Sequence, residues 1–155
     1  MKQLNNTMLD ALSQQAKQSP RLRANQNLHE ELSDTIHRLA IAMEPDTYVR
    51  PHRHAHTWEL LTALRGRFVV LLFDDAGVVT SRTVLGEECR VIEFPANTWH
   101  AVLSLDNGGV IFEVKQGPYA PLTDKDFASW GKAGEGDEVA QMNAWYARAQ
   151  VGDRL

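Results

Sequence analysis

Apolar residues recur at helical spacing near both ends of the chain and at strand spacing between them. Leu4, Met8, Leu12 and Ala16 return every fourth residue, with Asn5, Asn6 or Thr7 available to cap and Pro20 to stop the run, which predicts a first helix. Residues 21–29 have no clean period and read as an irregular arm laid along the barrel. From Thr35 the pattern turns to strand: Ile36, Leu39, Ile41 and Met43, a turn at Pro45-Asp46, then Tyr48 to Arg53. Leu60 to Arg65, Phe68 to Phe73, Val78 to Leu85, Cys89 to Phe94, Ala101 to Leu105 and Val110 to Lys115 are short strands separated by turn residues. The run Phe68 to Phe73 is apolar on both faces, so its outer face needs a helix or a partner subunit, and a homodimer is predicted on that ground. Thr123 followed by Asp126 opens a short helix through Trp130. A glycine-rich joint at 131–136 leads to a last helix with Val139, Met142, Tyr146 and Ala149 on one face.

These elements make an all-β domain with N-terminal and C-terminal helices. Its parts are a helix and arm at 1–35, a β-barrel at 36–120 and helices packed on the barrel at 121–155. A length of 155 residues suits one domain with an ordinary core. The single cysteine, Cys89, forms no internal disulfide and reads as a small buried hydrophobe in a reducing compartment. The first twenty residues lack an apolar signal core, and no apolar run is long enough to span a bilayer, so the expected location is cytoplasmic, with no membrane partner. Sixteen basic against twenty acidic residues give no basic signal for nucleic acid.

The chemistry gathers between His52 and Gly66. His52, His54 and His56 alternate, so in an extended strand all three imidazoles project from one face. Glu59 has the other parity and joins His52 and His54 only if the chain turns, which predicts a corner at Ala55 to Thr57. Imidazole nitrogen with carboxylate oxygen suits iron, manganese, nickel, zinc or copper rather than calcium or magnesium. Tyr48 and Arg50 share parity with His52 and His54. They either line the same cavity and contact a substrate anion or hydroxyl, or Arg50 bends to the surface at a strand end. His29 and the arginines of the arm either reach the mouth of the pocket or form a solvated connector.

The spacing His52-x-His54, four residues, Glu59, six residues, Gly66 resembles the first motif of the cupin superfamily. Pro95-Ala-Asn97-Thr-Trp-His100 resembles the second, with Asn at a glycine position where a left-handed turn is wanted. The resemblance implies a small β-barrel or jelly-roll binding one divalent transition metal (Fe, Mn, Ni or Zn) through His52, His54, Glu59 and His100. His56 is then not a ligand, and either lies exposed at the mouth or supports the ligands from behind. Arg21-Leu-Arg-Ala-Asn25, Asn27-Leu-His29, Tyr48 to His54, Trp58-Glu59, Leu64 to Gly66, Phe73 to Asp75 and Glu113 to Tyr119 together resemble the WbuC family of cupin-fold metalloproteins. That resemblance implies a role in bacterial surface-polysaccharide (O-antigen) biosynthesis. The function expected is a metal-dependent enzyme, an isomerase or epimerase, acting on a small polar molecule such as a sugar or sugar nucleotide. Its rivals are an Fe(II)-dependent dioxygenase and a non-catalytic module that binds a small molecule.

Overall fold

A computed structural model describes residues 1–155. Helix α1 (Asn6–Gln18) is followed by eight strands: β1 (Arg23–Asn27), β2 (Ile36–Met43), β3 (Glu59–Arg65), β4 (Phe68–Phe73), β5 (Val79–Leu85), β6 (Val91–Phe94), β7 (Trp99–Ser104) and β8 (Gly109–Gln116). A single 3-10 turn at Asp124–Asp126 and helix α2 (Glu138–Arg148) complete the chain. The strands form two antiparallel sheets, one in the order β1-β2-β8-β3-β6 and one in the order β5-β4-β7. The connections β3–β4, β5–β6, β6–β7 and β7–β8 cross from sheet to sheet, which rolls the chain into a jelly-roll.

Three apolar clusters hold this arrangement. Between the sheets, Met43, Leu61, Phe68, Val70, Leu85, Phe94, Val102 and Ile111 fill one end of the barrel. On the outer face of the large sheet, α1 buries Leu9, Leu12 and Ala16 against Ala40, Ala42 and Val110. The small residues at 40 and 42 let the helix approach the strand closely. Asn5 caps α1 by accepting from the Met8 amide at 3.0 Å. The buried face of α1 runs through Leu9 rather than Met8, which is 37% exposed, because the stripe follows the three-and-four spacing 9, 12, 16 and not every fourth residue.

On the outer face of the small sheet, α2 lays Met142 and Tyr146 over Val69, Leu71, Phe73 and Leu103. The apolar outer side of β4, which called for a helix or a partner subunit, is covered by the chain's own helix. Tyr146 is 1% exposed, and its hydroxyl donates to the Val49 carbonyl at 3.3 Å. Burying such a ring is worth roughly 1.5–3 kcal/mol.

Three expectations are corrected. Residues 23–27 are a paired strand and not an irregular arm, in register Arg23 with Met43 and Asn27 with Leu39. The helix expected from Thr123 to Trp130 is one 3-10 turn, because the next backbone groups bond elsewhere: Arg53 N–H donates to Asp126 C=O and Ala128 N–H to Pro51 C=O, both at 2.9 Å. Cys89 is half-buried, its thiol 3.1 Å from the Val91 carbonyl, rather than a core residue.

Candidate metal centre

Four of the residues named from the sequence meet inside the barrel. The segment 49–58 is mostly irregular, and it is tied to β7 by reciprocal backbone bonds between His52 and His100 at 3.1 and 2.9 Å. Asn97 N–H donates to the His54 carbonyl at 2.7 Å, and Asn97 itself takes φ 66, the left-handed turn its side chain tolerates. The chain bends at Ala55 and His56 before Glu59 starts β3. One nitrogen from each of His52, His54 and His100 lies within 4.8 Å of the other two. The carboxylate of Glu59 joins them, with one oxygen 2.9 Å from His54 Nε2 and the other 3.1 Å from His100 Nε2.

This set fits a transition-metal ion by its donor chemistry. His52 Nδ1 is 2.9 Å from the Arg50 carbonyl and His100 Nδ1 is 3.0 Å from the Thr98 carbonyl. Each carbonyl holds its ring in the tautomer that leaves Nε2 free toward the centre, as in metal-binding histidines. The electrostatics agree. Burial alone would raise the Glu59 carboxyl, but His100 and His54 hold it well below its ordinary value. Burial would lower His100, yet Glu59 raises it; His52, buried beside His100, is lowered well below. An ionised Glu59 and a neutral His52 are in the protonation states that ligands need, whereas His100, held toward its protonated form by Glu59, must give up that proton to serve as a ligand.

The cluster lines a cavity of about 350 Å³. His29 lines it too, whereas His56 is exposed at its edge. Tyr48 and Arg50 do not. They line a neighbouring groove, because segment 47–53 is not a regular strand and does not keep parity: Tyr48 Oη donates to the Lys132 carbonyl at 2.7 Å, and Arg50 Nη2 to the Ala128 carbonyl at 3.3 Å.

The polar wall of the cavity was missed in the sequence. Lys115 faces Glu59 across β8 and β3 in register, its Nζ 2.7 Å from Glu113 and 3.4 Å from Glu59. Burial pushes the Glu113 carboxyl up, with Glu59 adding to the effect, while Glu113 and Glu59 hold the Lys115 ammonium above its usual value against burial. His29 and His37 stack with ring centroids 4.1 Å apart, and His29 Nε2 is buried without a partner. The signal was there: Glu113 and Lys115 share parity with Ile111, which is core.

Two rolled antiparallel sheets with three histidines and a glutamate converging inside them make this a cupin-fold protein with a candidate metal centre. The chain belongs to the family described as a domain of unknown function, DUF6016, whose model matches residues 4–85. No curated protein matches the chain. Among solved structures it is similar to the TT1209 protein of Thermus thermophilus, at TM-score 0.55 and 19% identity over 75% of this chain and 97% of that one. It is also similar to the DMSP lyase DddQ of Ruegeria pomeroyi, at 0.53 and 20% over 67% and 52%. A third is KdgF of Halomonas sp., at 0.50 and 16% over 66% and 84%. At these identities the likeness carries the fold alone.

Proposed function

We propose that the chain is a metal-dependent enzyme acting on a small polar molecule inside the barrel, with His52, His54, Glu59 and His100 holding one divalent transition metal. The observation that carries this reading is the contact of two polar groups in one cavity: a donor set of three histidines and a glutamate, and beside it the Lys115–Glu113 pair, whose Nζ lies 3.4 Å from Glu59. When bound, such a metal polarises a substrate oxygen and favours the loss of a neighbouring proton.

The chain's own residues supply the rest. Glu113, beside Lys115, is placed to accept or return a proton at its carboxylate, and Lys115 to stabilise oxygen charge nearby. His29 lines the cavity and has an unpartnered Nε2, which suits a ligand hydroxyl or carbonyl. Leu39, Ile41, Leu61, Val102 and Ile111 exclude water from the remaining wall. A proton-carrying pair beside a donor set favours an isomerase or epimerase over a binding module, which has no use for one.

The resemblance to the WbuC family supports a sugar or sugar nucleotide of surface-polysaccharide biosynthesis as substrate. The similar solved structures include a DMSP lyase and an oxalate oxidase, so the fold is one that accommodates catalysis. The test is metal content by elemental mass spectrometry on untagged protein purified without chelator, for the native chain, His54→Ala and His56→Ala. About one metal per chain, lost in His54→Ala and kept in His56→Ala, is expected. No metal after reconstitution would overturn the reading. Solvent deuterium entering a candidate sugar in a Glu113-dependent manner then separates isomerisation from oxidation.

A further inference from the structure

Beside the metal cavity lies a groove of about 550 Å³ that the proposed chemistry leaves without a role. Arg21, Arg23 and Arg50 all line it, Asp46 is its one acidic side chain, and Arg23, Val49, His52 and Leu122 line both spaces. None of the three arginines makes an ion pair, in a chain whose formal net charge is −4. Guanidinium groups gathered in a concave site without carboxylate partners repel one another and lose water, and an anion relieves both effects.

The arginines are held rather than loose. Leu22, between two of them, sits at φ 53, a conformation costly for a branched side chain. It is kept there by three bonds: its N–H to Ser19 C=O at 2.9 Å, and its C=O to Glu44 N–H at 3.1 Å and to Thr47 Oγ1 at 2.6 Å. The Arg23 guanidinium donates no hydrogen bond and makes no ion pair within the chain; burial and then the neighbouring Arg21 charge lower its affinity for the proton, with Glu113 on the barrel side opposing them at longer range. The Arg50 guanidinium lies 5.0 Å over the Phe127 ring, and its Nε is buried without a partner. Tyr48, packed on Gly134 and bonded to Lys132 C=O, closes the far wall.

We infer that this groove is an oxyanion subsite, in which Arg23 and Arg50, with Arg21 at the rim, hold a carboxylate or phosphate group of the small molecule that enters the barrel. Planar donors in forked pairs are matched to either oxyanion. The link to a barrel substrate rests on the metal-dependent reading above; anion binding in the groove does not. His52 belongs to both walls, so an acidic group in the groove leaves the rest of a small ligand beside the histidine cluster.

The test is calorimetric titration at low ionic strength with inorganic phosphate, glucose 1-phosphate and glucuronate, in metal-loaded and in chelator-treated protein. Saturable binding is expected in both preparations. Arg23→Gln and Arg50→Gln should each weaken it about tenfold or more, the loss expected for a charge-assisted contact, and Arg90→Gln, a charge change outside the groove, should not. Arg23→Lys, which keeps the charge, should bind more weakly than the native chain and guards against a Gln variant that fails to fold. Preference for glucose 1-phosphate over glucuronate assigns phosphate, and the reverse assigns carboxylate. The inference is overturned if none of the three binds, or if binding needs metal and is unchanged in Arg23→Gln, which would put the anion on the histidine centre. Arginine-dependent binding in a protein that takes up no metal would sink the enzyme reading and leave the groove standing.

Discussion

Removing the Lys115 ammonium should expose how much of the barrel's polar interior is held by one cation. Its Nζ lies between Glu113 at 2.7 Å and Glu59 at 3.4 Å, side chains only 12% and 3% exposed. In Lys115→Leu, two carboxylates remain in a poorly solvated space, and Glu59 keeps only its histidines. Breaking a buried pair from one side costs about 3–5 kcal/mol, because the remaining charge is uncompensated. For a chain of this size that is a fall in Tm of roughly 6–20 °C. Glu113 lies in register with Leu39 on one neighbouring strand and Leu61 on the other. At position 113 the double variant Lys115→Leu/Glu113→Leu therefore places apolar atoms beside apolar atoms; at position 115 the remaining carboxylate, Glu59, still has His54 and His100 as partners, so the double variant should recover stability to within about 1–2 kcal/mol of the native chain. The assay is urea unfolding of chelator-treated protein followed by tryptophan fluorescence, comparing midpoints at constant slope. A single variant costing under about 1 kcal/mol, or a double variant less stable than the single, would refute this account of the wall.

Gly77→Ala should destabilise by more than about 1 kcal/mol in thermal melts, since φ is +81 and a Cβ there would sit 2.9 Å from the Trp130 ring. Asn143→Ala should cost roughly 1–3 kcal/mol by urea titration, because its amide is the donor to the Pro45 and Thr47 carbonyls at 3.1 and 3.3 Å. Burial raises the phenols of Tyr48 and Tyr146 above their ordinary value. Their contribution to stability is thus complete below the unfolded tyrosine pKa and is lost as pH rises through the folded one, and absorbance at 295 nm should show both ionising late, with unfolding. Metal should raise Tm at pH 7 in a chelator-reversible way and lose that effect as the imidazoles protonate toward pH 5; melting indifferent to chelator at pH 7 would contradict the centre.

Where the pattern of residues was read correctly, one physical constraint dominated; where it was misread, two competed. The convergence of His52, His54, Glu59 and His100 is legible from their spacing, and Asn97 marks the turn that ties the strand of His100 to the segment carrying His54. Strands β2 to β8 are legible because each carries apolar residues that pack either in the barrel or under a helix. Strand β1 carries no such mark. Its inward residues, Arg23, Asn25 and Asn27, face a polar cavity, and only Ala24 packs toward α1, so a strand that builds a binding wall imitates a solvated connector. Tyr48 and Arg50 were placed by a parity that holds only inside a ladder, and the chain there bonds instead to residues 126–132, far along the sequence. The same long-range bonds shorten the helix after Thr123. All three misreadings fall where the chain lines a cavity rather than a core, because the hydrophobic signal that sets register is absent where a polar ligand would be received.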